Sequence, residues 1–303
     1  NSCKKKEDNN GTTGNTTVYK TYGSMDEIYA ELSLKPKAVT FDAATGSKFY
    51  GNSGTQYIFQ PNSFQDATGA SVTGTVRVEV TEWMKKGDMI FSKMLPISNE
   101  QPLMSAGEIY VQATQGGQEI FLKPGFQFQA NIPQGGPVDS AMIVFRGNTY
   151  DPSGPSAGVT NVNWVPGKTD SSVGASIVFN NDTVKIFADS LKFYNGDHYL
   201  TGVPTTNSTK LTVSTNGGTL APEKMQAYML VDGKRSLWPI RDQSFLAINQ
   251  PCHIVAYGLI DGRFYAGTVA IVANTTPGVM NSFSLLMTEV KPEDFKAQLN
   301  VLY

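Results

Sequence analysis

Thr75-Val76-Arg77-Val78-Glu79-Val80-Thr81-Glu82-Trp83 decides the fold class of this chain. Val76, Val78 and Val80 fall on one side of an extended backbone, and Arg77, Glu79 and Thr81 on the other. Side chains on a strand alternate between faces, so this is a half-buried strand and not a helix. The same period of two recurs outward from it. Val39 and Phe41, Phe49-Tyr50 and Tyr57-Phe59 sit in short runs separated by Gly46, Gly51 and Gly54. Glu108–Ala113 and Glu119–Leu122 flank Gly116-Gly117, Val173–Phe187 brackets Asn181-Asp182, and Cys252–Ile260 and Arg263–Val272 flank Asp261-Gly262. Such pairs tolerate positive φ and close two-residue hairpins.

Helical signals are confined to the two ends of the folded part. Ser24-Met25-Asp26-Glu27 is a capping box, with Ile28, Leu32 and Leu34 behind it and Pro36 as the stop. Lys291-Pro292-Glu293-Asp294 opens a second helix, because Pro suits its first turn and acids suit its positive end. The expected fold is therefore all-β: two antiparallel β-sandwich domains with a short N-terminal helix and a C-terminal helix. With 303 residues there is chain enough for two domains. The expected division is a flexible tether over 1–17, one sandwich over 18–190 and a second over 191–303. The boundary falls in 189–208, which reads as a loop.

Composition narrows the function classes. A net charge of −2 gives no broad positive field for nucleic acid. Two cysteines and two histidines cannot supply the three or four ligands of a zinc site, so no metal and no cofactor is expected. Calcium stays open through Asp/Asn-rich loops such as Asn180-Asn181-Asp182, although EF-hand spacing is absent. His198, beside Asp197, reads as a polar loop residue. Cys252 and His253 are neighbours on a strand and point to opposite faces, which argues against a Cys–His nucleophile. No pair of acids is marked out for glycoside hydrolysis. Trp83, Trp164 and Trp238 could stack sugars, with core packing as the ordinary alternative. No catalytic residue is assigned, and the chain reads as non-enzymatic.

Asn1–Thr17 reads NSCKKKEDNNGTTGNTT, too polar to fold by itself. Ser2-Cys3 followed by a polar linker resembles the lipidation site of bacterial lipoproteins, in particular those of the Bacteroidetes. That resemblance implies lipid on Cys3, and several acyl chains hold a protein firmly on a bilayer where one holds marginally. Lys6-Glu7-Asp8 resembles the short signal that sends some of these lipoproteins to the outer face of the outer membrane. The expected partners are the membrane through that lipid and a protein or a glycan.

A second resemblance lies in the folded part. Ile58-Phe59-Gln60-Pro61-Asn62-Ser63-Phe64, then Gly69, then Val72-Thr73-Gly74-Thr75-Val76-Arg77-Val78, resembles the opening of ZU5-like domains. Leu103–Ala113 looks like a later strand of that family, and Asn163-Trp164 and Phe295–Leu302 look like features of Bacteroidetes envelope proteins that carry it. The resemblance covers about 55–145 and implies a β-sandwich core more than an activity. Some ZU5 domains cleave themselves at a His-Phe-Ser step, which this chain lacks. The functional expectation is a lipid-anchored, non-catalytic binding or scaffolding protein of the cell envelope. The competing readings are a glycan-binding module of a polysaccharide-utilisation system and, more distantly, a hydrolase with an unrecognised carboxylate site.

Overall fold

The computed structural model describes residues 19–149, 158–167, 174–201, 209–221, 224–240, 250–272, 276 and 278–302. Cys3, Lys6, Glu7 and Asp8 lie outside them. The fold is all-β, with three short helices among the described residues: α1 (Met25–Leu32), α2 (Lys86–Phe91) and α3 (Pro292–Val301).

The first sheet runs in the order Lys37–Asp42, Thr75–Trp83, Gln101–Gln115, Phe193–Tyr199, Ile143–Thr149, Val162–Pro166. The second runs Ser176–Asn180, Thr183–Ala188, Phe128–Pro133, Gln56–Phe59, Ser47–Tyr50. All these pairings are antiparallel. Their inward residues form one apolar cluster. Val76, Val78, Val80, Ile109 and Val111 come from the first sheet, and Tyr57, Phe59, Phe128, Ile132 and Ile186 from the second. Phe59 anchors it, with its ring 5.4 to 6.1 Å from those of Phe128, Phe64, Phe41 and Phe49. Offset ring pairs of this kind contribute about 0.5–1.5 kcal/mol each beyond their buried area.

The turns follow the sequence. Gly116 and Gly117 have φ of 55° and 83° between Gln115 and Gln118, and Asp261 and Gly262 have φ of 50° and 77° between Ile260 and Arg263. Both residues of each turn are left-handed, matching the twist of the flanking strands.

Three features correct the sequence reading. The stretch 189–208 contains Phe193–Tyr199, an interior strand paired with Gln101–Gln115 on one side and Ile143–Thr149 on the other. The second apolar cluster also ignores a boundary there. It joins Trp83, Met89, Phe91, Leu103, Phe145 and Trp164 to residues of a third sheet (Gly218–Thr219, Thr209–Thr215, Asn281–Leu286) and a fourth (Leu237–Pro239, Gln226–Val231, Cys252–Ile260, Arg263–Ile271, Thr288–Glu289). Lastly, Thr209–Thr215 and Asn281–Leu286 pair in parallel, where an antiparallel arrangement was expected throughout. Their separation in sequence leaves room for the long crossover that a parallel pair requires.

Gly147 shows how tightly the outer side of the first sheet is packed. A Cβ there would stand 2.6 Å from Phe193 Cβ and 2.7 Å from Val162 Cγ1. We expect Gly147→Ala to cost about 1–3 kcal/mol, the usual range for overpacking, in urea unfolding. A variant as stable as wild type would show that the two neighbours yield freely.

Candidate functional site

The second sheet turns its other side outward, and there the polar side chains are organised. Register places Val178, Lys185, Asn131, Gln56 and Tyr50 in one row across all five strands. A parallel row holds Ser176, Phe187, Gln129, Ile58 and Lys48. Every residue in both rows is exposed or half-buried, with Tyr50 at 57% and Val178 at 49%. Three amides and a phenol are wired in sequence. Gln129 Nε2 donates to Asn131 Oδ1 at 2.6 Å, Asn131 Nδ2 to Gln56 Oε1 at 3.0 Å, and Gln56 Nε2 to Tyr50 Oη at 2.6 Å. The ladder fixes the amides' orientation and leaves each of the two middle ones a spare N–H and a spare lone pair.

None of these residues was singled out from the sequence. The alternation of each strand marks them as outward-facing, but only the register between five strands brings them together. Phe49 and Tyr57, one position away from Tyr50 and Gln56, face inward and stack at 5.5 Å. Parity alone therefore separates core from surface here.

The tryptophans named as a stacking platform are placed differently. Trp83, Trp164 and Trp238 are all buried, so none offers a ring face for a sugar. Trp164 is wholly enclosed, donates from Nε1 to Leu95 O at 3.1 Å, and meets the Phe193 ring edge-on. Trp83 packs beside Phe193 with ring centroids 6.3 Å apart. Helix α2 starts shortly after it, at Lys86.

His198, read as a loop residue, sits in the strand Phe193–Tyr199. Its Nε2 lies 2.8 Å from Asp139 Oδ2, and Nδ1 lies 2.9 Å from Tyr199 O. The amide of Ala141 donates to Asp139 and, with His198, holds its carboxyl below the usual range. His253 Nδ1 contacts Asp232 Oδ1 at 2.7 Å, while the thiol of its neighbour Cys252 donates to Gln250 O. Burial pushes that thiol up to about 11, so it is not a thiolate at neutral pH.

A buried acidic pair lies where the fourth sheet meets the first. Glu108 and Asp197 are both fully enclosed, on neighbouring strands at a bulge between Asn195 and Asp197. Ser105 Oγ donates to Asn195 Oδ1 at 2.8 Å, and Asn195 Nδ2 to Asp197 Oδ2 at 2.7 Å. Asp197 Oδ1 and both oxygens of Glu108 have no hydrogen-bond partner among the described residues. Burial raises both carboxyls well above the usual range, and the charge of Asp197 raises Glu108 further. Arg235 seals the region, donating to Met84 O, Ala106 O and Gln134 Oε1. With no exposure, the pair has no path to a polymeric substrate.

Among the described residues, no group of three or more His, Cys, Asp or Glu is arranged to hold a metal ion, and no helix is long and apolar enough to cross a membrane. No family model, no curated protein and no solved structure matches the chain.

Proposed function

We propose that this chain is a non-catalytic binding protein of a bacterial cell envelope, held to the membrane by lipid on Cys3. Its ligand surface is the outer side of the second sheet. The observation that carries this reading is the pre-oriented ladder Gln129–Asn131–Gln56–Tyr50 on a face left open to solvent. Side chains fixed before a ligand arrives lose little conformational entropy on binding. Recognition is favoured over chemistry by the state of the reactive groups. The Cys252 thiol is buried and un-ionised, both histidines lean on aspartates, and the acidic pair is sealed. The lipid, the envelope and the outward sorting by Lys6-Glu7-Asp8 rest on the resemblance of residues 1–17 to lipoprotein leaders. The ZU5-like reading rests likewise on the motifs in 55–145.

Two measurements test this together. Fatty-acid labelling in cells should mark the wild type and not Cys3→Ala, and the variant should leave the membrane fraction. A photo-reactive phenylalanine at Val178, on the open face, should form an adduct on intact cells. The same probe at Leu286, which is 54% exposed elsewhere, should not. Label on Cys3→Ala refutes the anchor, and equal adducts at both positions, or none, refute the ligand surface.

A further inference from the structure

We infer that the open face of the second sheet binds an anionic polysaccharide, of the kind built from uronic-acid sugars. The inference rests on the reading of that face as the ligand surface and adds the class of ligand.

Charge supplies the first argument. The chain as a whole carries 26 acidic and 24 basic residues, yet no outward position of the five strands holds an Asp or Glu. Those positions do hold Lys48, which ends one row, and Lys185, one strand in from the far end of the other. Neither ammonium pairs with a carboxylate among the described residues. The face is therefore locally positive on a protein of net charge −2. An anion gains from that arrangement, and a cationic or acid-seeking partner does not.

Hydrogen bonding supplies the second. Hydroxyl groups of a sugar donate and accept at once, and a planar amide with one spare N–H and one spare lone pair answers both. Asn131 and Gln56 are in that state and stand side by side on adjacent strands. Their ladder ends at Tyr50, whose hydroxyl accepts from Gln56 and whose exposed ring offers an apolar face to the C–H side of a pyranose.

Geometry supplies the third. From Tyr50 to Lys185 the row crosses three interstrand steps, roughly 14 Å at about 4.8 Å each. The row crosses the strands, a path that an extended chain of sugar rings can follow. Two lysines are too few for nucleic acid, where affinity grows with the number of phosphates neutralised. The contacts come from side chains on a sheet face, so they do not make the backbone ladder by which a protein strand would add to an edge.

Affinity electrophoresis of the full chain tests this, in native gels containing polygalacturonate or alginate, with neutral xylan and mannan in parallel gels. Wild type should be slowed by the uronate polymers, and added salt should weaken the effect. Lys48→Ser combined with Lys185→Ser should reduce the affinity by about tenfold, as should Asn131→Ala combined with Tyr50→Ala. All four positions are on the surface, and thermal melting should confirm that both variants stay folded. If neither uronate polymer slows the wild type, or both double variants are slowed as much as wild type, the inference is overturned. Equal or stronger slowing by xylan or mannan also overturns it, by removing the role of charge. An adduct at Val178 without uronate binding would reject the ligand class and leave the binding surface standing.

Discussion

Trp164→Ala should unfold at a markedly lower urea concentration than wild type, with a loss of about 3–5 kcal/mol. Three contributions meet at this residue. Its ring is fully enclosed and faces Phe193 at 6.4 Å and 86°, so truncation leaves a cavity lined by the second apolar cluster. Its Nε1 donates to Leu95 O, in the segment that follows α2, and its loss leaves that buried carbonyl with the Ile97 amide as its remaining donor. Its strand, Val162–Pro166, lies at the end of the first sheet and among the described residues pairs only with Ile143–Thr149, so little backbone bonding compensates. Trp164→Phe separates the terms, because it refills most of the cavity and still removes the indole's hydrogen bond to Leu95 O. A midpoint near that of wild type for Trp164→Ala would mean that the cluster is not a cooperative part of the fold.

The residues that reveal the fold and those that form the candidate site differ in how far apart their partners lie. Gly116-Gly117, Asn181-Asp182 and Asp261-Gly262 are local: positive φ at the turn dictates both the residue type and the hairpin. α1 is equally local: Glu27 N–H donates to Ser24 Oγ, one half of the capping box, while the Glu27 carboxylate reaches back to Gly23 N–H, one residue before the cap. Phe193–Tyr199 defeats local reading because Asn195, Gly196 and Asp197 look like a turn. Each is explained by a neighbour distant in sequence. Asn195 and Asp197 belong to the network with Ser105. Gly196 is small because a Cβ would lie 3.0 Å from Ile177 and 3.2 Å from Val184. The binding face shows the same limit. Tyr50, Gln56, Asn131, Lys185 and Val178 each read as an ordinary outward residue, and their row exists only after five strands have found their register. Aromatic content likewise suggests stacking by tryptophan, but these large rings serve the core and the exposed ring is a tyrosine.

Between about pH 5 and pH 7 the wild type should lose stability as pH rises, and Glu108→Gln should lose less. The sign follows from burial. Glu108 and Asp197 are enclosed at zero exposure, so their neutral forms are favoured in the fold and their pKa values rise well above those of the unfolded chain, near 4. Below the unfolded value both states bind the proton and no stability is lost. Above it the unfolded chain ionises first, and each group in that interval removes about 1.4 kcal/mol per pH unit. Other shifted groups stay out of the window. Burial brings the Lys86 ammonium down to about 8, so it is charged throughout. Asp66, Glu79 and Asp139 have lowered pKa values and are ionised throughout. The difference between wild type and Glu108→Gln in thermal melting at several pH values therefore reports Glu108, and Asp197→Asn repeats the test from the other strand. The variant gains on wild type as pH rises, because an amide fills the same space without a charge to bury. Parallel pH profiles for wild type and both variants would show that the carboxylates ionise freely and that water reaches the bulge.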